Sequence, residues 1–340
     1  MNTRTILASA LVAMLALVSA TATELPLKHL PEKAALVADL DAKTFRESEA
    51  GEVLDKQFES MKGQLMNGPL AQVNQMSFDS KDVDRTIVAV TGTDKQPTVI
   101  VYVYGKLDQA KLDKFAEESA KQSGEPVGKS LLGNRSVSTW KAAQQAAQAQ
   151  AANGDANAAP AQTVNACIAE DGLVVFTDTL DNLQLALDVI DGKAPSLSKM
   201  STVARLADPV SMFAWLGLYI DGESDLVKAI PNNNQQMQQI RALRMVFSGE
   251  MRNVTLKLDG RFDSAANAAQ AQQGLMMLQA MGMMQGNNGG NVDPLVSKIL
   301  GNLTVKSEGE WVCAETKVPA DELAKKLGEL AAQIPADMGE

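Results

Sequence analysis

Runs of continuous apolar residues alternate along this chain with segments of helical spacing. The run at 99–104 predicts a strand, and Gly105-Lys106-Leu107-Asp108 predicts the turn out of it. From Ala110 onward, Leu112, Phe115, Ala116 and Ala120 predict a helix with Asp108 as its N-cap. The same order returns later, with an apolar run at 254–258, then Gly260-Arg261-Phe262-Asp263, then an alanine-rich helix. Upstream of the first copy lie a short apolar strand at 34–40, a helix on Leu54, Phe58, Met61 and Leu65, and a strand at 85–91. Close spacing makes 85–91 and 99–104 an antiparallel hairpin.

Beyond the first helix, 136–140 reads as a strand that enters a low-complexity tract of Ala, Gln and Asn at 142–163. That tract has no face to bury and reads as an excursion between two paired strands. Residues 164–169 and 173–176, joined by Asp171-Gly172, predict a hairpin with a type I′ turn. Leu180, Leu183, Leu187 and Ile190 then line a helix. In the second half, 212–218 matches the first strand and a broken helix lies within 225–243. A strand at 243–247 pairs with 254–258, a short helix spans 294–300, and a closing hairpin at 303–307 and 311–318 precedes a helix capped by Asp321.

This order predicts an α+β fold: two tandem, diverged β-α-β-β-α-β-type repeats, with antiparallel sheets and helices on one face. The first repeat covers 23–195 and the second 196–340. Shorter echoes keep the same order: Leu132-Gly133-Asn134 with Leu300-Gly301-Asn302, and Asp181-Asn182-Leu183 with Asp321-Glu322-Leu323.

Residues 1–22 read as a signal peptide, with Arg4 before an apolar run at 6–18 and small residues for cleavage after Ala20 or Ala22. The expected destination is a periplasm or the outside of the cell, and no transmembrane segment is expected in the mature chain. In that setting Cys167 and Cys313, one in each half, are either a disulfide or two buried thiols. The exported leader, Pro31 before the first strand, Gly105-Lys106-Leu107-Asp108, Gly260-Arg261-Phe262-Asp263 and the closing Val318-Pro319-Ala320-Asp321-Glu322-Leu323 together resemble uncharacterised two-repeat exported bacterial proteins. The resemblance spans most of the mature chain. It implies architecture and carries over no catalytic or binding residue.

Composition narrows the function classes. A net charge of −10 and a pI near 4.8 disfavour nucleic acid and anionic lipid, both of which need clustered Lys and Arg. Aromatic residues at 4% give little for stacking on bases or sugars. The single histidine, His29, has no nucleophile motif around it, and one His with two distant Cys does not suggest zinc. The carboxylate pairs Asp39/Asp41, Asp82/Asp84 and Asp178/Asp181 read as turns and caps. No cofactor is expected and no enzyme activity is indicated. The methionine run at 275–284 reads as core or partner contact, with a soft-metal site as the other reading. Asn134, Asn253 and Asn302 begin sequons that read as chance occurrences.

One contrast between the repeats points to a surface. Val99, Val101 and Val103 match Val254, Leu256 and Leu258 as the helix-facing set. The other face is Ile100, Tyr102 and Tyr104 in the first repeat but Thr255, Lys257 and Asp259 in the second. With Ile87 from the neighbouring strand, the extra apolar face of the first repeat needs cover. The expected cover is the other half, the low-complexity tract, or a partner or ligand. Ile87, Ile100, Tyr102 and Tyr104 are therefore the candidate surface. The expected function is a non-enzymatic periplasmic or secreted binding or scaffold protein engaging an unknown protein or apolar ligand. A carrier of lipid between two sheets, and a hydrolase using carboxylates alone, are the alternatives.

Overall fold

A computed structural model describes residues 26–65, 78, 81–93, 97–142, 162–197, 214–228, 239–287 and 293–332. The segment read as a signal peptide, the centre of the low-complexity tract and the middle of the broken helix expected within 225–243 lie outside the described residues.

The chain is α+β, and its described residues build one antiparallel sheet of twelve strands. In the first half these are β1 (Leu36–Leu40), β2 (Val83–Gly92), β3 (Pro97–Gly105), β4 (Gly128–Leu132), β5 (Arg135–Ala142), β6 (Gln162–Glu170) and β7 (Leu173–Thr177). The second half adds β8 (Ala214–Asp221), β9 (Ile240–Glu250), β10 (Asn253–Phe262), β11 (Thr304–Glu308) and β12 (Trp311–Pro319). Their order across the sheet is β11-β12-β10-β9-β8-β1-β2-β3-β7-β6-β5-β4. The halves therefore mirror each other about the β1·β8 pair, where Ala38 lies opposite Leu218. Two sheets were the expectation. Pairing of the two first strands fuses them into one and leaves no cleft between sheets.

The helices are α1 (Ala42–Glu47), α2 (Glu49–Leu65), α3 (Gln109–Ser123), α4 (Leu180–Ile190), α5 (Asp225–Lys228), α6 (Ala265–Asn287), α7 (Pro294–Gly301) and α8 (Ala320–Ala332). Strand side chains alternate between faces, so each β3 residue has a fixed destination. Val103 meets Leu112, Phe115 and Ala116 of α3, as the helix-facing set predicts. On that same face α2 and α8 pack together over Val254 and Val318, and α6 packs over Phe262 and Val312. Helix α4 is different. Its Leu183, Ala186 and Leu187 pack on the opposite face, against Ile100, Tyr102 and Val175.

Local chemistry explains the connections. Asp108 caps α3 by accepting from the Lys111 N–H at 2.9 Å, as expected. Gly105 is required because a Cβ there would lie 1.9 Å from the Asp82 carbonyl oxygen, whereas a Cβ on Gly260 would meet nothing closer than 3.4 Å. The echo of this glycine is thus structural in one half only. The 171–172 hairpin forms without the type I′ turn. Among the described residues only Met251 has positive φ without being glycine, so Gly172 alone is left-handed. A bulge between Ile168 and Glu170 then restores the register. Strand β4 was not anticipated. It pairs with β5 as a short exposed edge, and its Gly133-Asn134 turn is not placed like Gly301-Asn302, which ends a helix.

Candidate functional site

The register of β2 with β3 sets Ile87 opposite Tyr102 and Arg85 opposite Tyr104, which gathers the predicted surface onto one face. Ile87, Ile100 and Tyr102 are fully buried there. Leu183, Ala186 and Leu187 of α4, with Leu30 and Leu197, lie over them. Most of the cover comes from α4 of the same half, which was not anticipated, and the other half, one of the three anticipated sources, adds Leu197 and Ala242 to the same cluster. These residues form a core that a partner cannot reach in this conformation. Among the described residues the Tyr102 hydroxyl finds no hydrogen-bond partner, and burial pushes its pKa well up. Tyr104 sits at the margin, where its hydroxyl meets His29 Nδ1 at 3.0 Å and the rings stack with centroids 6.1 Å apart.

Beyond Tyr104 the same face carries charge. Arg85 donates through Nε and a terminal nitrogen to both oxygens of Asp39, at 2.7 and 2.6 Å. Both side chains are only 9% exposed, so the pair must satisfy itself. Burial opposes the charge on Arg85, and Asp39 more than compensates and holds it protonated. In the second half Arg244 donates to Asp259 Oδ2 at 2.8 Å. Arg85 lies opposite the residue before Gly105, and Arg244 lies opposite the residue before Gly260. The two arginines therefore hold equivalent positions, each joined to a buried carboxylate, and both carboxylates are engaged in ion pairs rather than poised as acid and base.

His29 is buried, with Tyr104 beside it and Glu170 at 3.9 Å. Burial lowers its pKa, Glu170 opposes that shift, and Lys28 adds to it. Its geometry is that of a tie between the N-terminal segment and β3. The cysteines are both free. Seven strands separate β12 from β6, so Cys313 and Cys167 lie roughly 38 Å apart at the usual strand spacing, far beyond disulfide reach. Burial is the main cause that raises each thiol pKa to about 11, which leaves both protonated and unreactive at neutral pH.

Among the described residues, the exposed large apolar side chains gather chiefly on α6. Its 23 residues include no Asp, Glu, Lys, Arg or His. Ala268 and Leu275 face the sheet beside Phe262 and Val312. Gly282 lets α7 approach so closely that a Cβ there would sit 2.3 Å from Leu300 Cδ1. Gln279 donates to the Leu303 carbonyl at 2.7 Å. With the inner side fixed by these contacts, Met277 (66%), Met281 (47%) and Met284 (65%) stand exposed on the ridge opposite. Met276, Met283 and Leu278 flank them, and Val296 of α7 extends the apolar surface. Within the run read as core or partner contact, Leu275 packs toward the sheet while Leu278 stands exposed. The methionine run was visible in the sequence. Its outward direction was not, because an uncharged helix has no polar side to mark as outer.

A shallow hollow of about 460 Å³ lined by Arg261, Glu308, Gly309, Glu310 and Trp311 lies elsewhere, and Arg261 and Glu310 are ion-paired at 3.0 Å within it. Among the described residues no group of three or more His, Cys, Asp or Glu is arranged to hold a metal. No helix among them is long and apolar enough to cross a membrane.

No family model and no curated protein matches the chain. Among solved structures it is similar to crystal form IV of TP0453, at 10% identity and a TM-score of 0.47, covering 90% of this chain and 97% of that one. Crystal form III gives 9% identity and a TM-score of 0.46 over 90% and 99%. Crystal form I gives 10% and 0.43 over 91% and 99%.

Proposed function

We propose that this is a non-enzymatic binding or scaffold protein, exported to a periplasm or beyond, whose contact surface for a protein partner is the outer face of α6. The observation that carries this reading is the charge-free helix presenting six large apolar side chains to water from Met276 to Met284. Contiguous exposed apolar surface on a folded protein marks a contact site. Methionine, flexible and polarizable, suits a surface that adapts to its partner. The apolar face around Ile100 and Tyr102, expected to serve this purpose, supports the reading no longer, because α4 occupies it. The ion-paired state of Asp39 and Asp259 favours binding over carboxylate chemistry.

The test is a double substitution, Met277→Lys with Met284→Lys. Both side chains are exposed, so each change should alter stability by less than about 0.5 kcal/mol. Site-specific crosslinking from Ala280 in the native compartment should yield a discrete adduct with the unmodified helix and none with the double variant. An adduct that survives both lysines would sink the assignment of this face.

A further inference from the structure

The composition of the outer ridge asks for more than apolar contact. Met277, Met281 and Met284 fall at i, i+4 and i+7, so they stack along one line of the helix. The apolar side chains that α6 packs toward the sheet include Ala268, Ala271 and Leu275, whereas the large apolar side chains of the ridge are methionines. Leucine would bury as much apolar area against a partner. What methionine adds is a thioether sulfur, a soft donor that needs no deprotonation.

We infer that this ridge is a binding site for one soft monovalent metal ion, copper(I) or its analogue silver(I), held by the Sδ atoms of Met277, Met281 and Met284. Seven residues of helix rise span about 10.5 Å from Met277 to Met284. Two unbranched side chains, each with three rotatable bonds, can converge on a metal near Met281 from either end of that span. All three side chains are exposed and free to turn, so the ion binds without disturbing the buried side of α6. Three neutral thioethers suit a soft monovalent ion and discriminate against calcium, magnesium and zinc, which take oxygen, nitrogen or thiolate. The net charge of −10 draws cations toward the protein. The inference concerns the sulfur atoms and does not depend on a protein partner.

The experiment uses the full mature chain labelled with 13C at its methionine methyl groups and titrated with silver(I) under NMR. The methyl resonances of Met277, Met281 and Met284 should move together and saturate at one equivalent. Reading the thioethers directly separates this uptake from silver bound at Cys167 or Cys313. Replacing the three with leucine keeps the ridge apolar and should abolish the thioether-bound equivalent, while Met276→Leu with Met283→Leu should leave the affinity within twofold. Copper(I) under reducing conditions should compete for the same resonances. Unmoved ridge methyls at several equivalents of silver would overturn the inference, as would leucine variants that retain the site. The triple leucine variant also separates this inference from the proposed function, since it removes sulfur and preserves the apolar contact.

Discussion

The two halves of the sheet place the helix that follows their matching strands on opposite faces. Helix α4 follows β7 and lies against Ile100, Tyr102 and Val175, while α8 follows β12 and lies against Val254, on the far side, beside α2. The strand faces match this difference. Where α4 sits, β3 presents Ile100 and Tyr102. At the corresponding positions β10 presents Thr255 and Lys257, which are only partly buried. The lesson is that the second apolar face of the first half is the imprint of its own helix. A doubly apolar strand in a repeat predicts cover on both sides, and the first candidate to examine is the next helix in sequence.

The largest effect that can test this comparison lies at the equivalent arginines. Arg85→Ala leaves the Asp39 carboxylate buried without its bidentate partner and should cost about 3–5 kcal/mol. Arg244→Ala should cost less, about 1–3 kcal/mol, because Asp259 retains Lys257 at 3.9 Å. Urea unfolding of the two variants beside the parent measures both. Equal losses would show that the two charge pairs are energetically equivalent despite the different cover of their halves.

A smaller effect is expected from the two helices themselves. Leu187→Ala opens a cavity above Tyr102 and should destabilise by about 2–5 kcal/mol. The half-buried Leu323 of α8 should cost about 1 kcal/mol on the same change. Near-ultraviolet circular dichroism should register the first substitution through the tyrosines beneath α4. If the Leu323 change were the more damaging, α8 rather than α4 would be the principal cover of the sheet.

Much of this architecture was legible because it rests on local chemistry. The β2–β3 hairpin, the Asp108 cap, the closing β11–β12 hairpin and the stripe of α4 all follow from residues near one another in sequence. The pairing of β1 with β8, which makes two expected sheets one, is a contact between residues 36–40 and 216–220. Two apolar strands give no local sign of choosing each other. The side of the sheet taken by α4 was hidden for a related reason. Leu183 and Leu187 say that a helix has a buried face, and only the extra apolar face on β3 says where. Both signals were present, separated by some eighty residues, and they were not joined. For α6 the inner contacts come from Leu300 and Leu303, which no pattern within the helix reveals.

The smallest expected effect concerns the tie that closes the covered half. His29 has a pKa below its ordinary value of about 6.5, chiefly because burial disfavours its charged form. The unfolded chain therefore binds the proton more readily than the folded one. By linkage, the neutral histidine's contribution to stability is complete above about pH 6.5 and is lost as pH falls through the lowered folded value. Protonation also makes both ring nitrogens donors, so Nδ1 can then only donate to the Tyr104 hydroxyl 3.0 Å away. Glu170, 3.9 Å from Nε2, works against the loss and keeps it modest. Thermal melts of the parent and of His29→Gln should keep a constant offset from pH 8 to 7. Below pH 6.5 the parent should lose its margin. Melting curves that stay parallel down to pH 5 would mean that the N-terminal segment is held by Leu27 and Leu30 alone and that the cover of the first half has no titrating component.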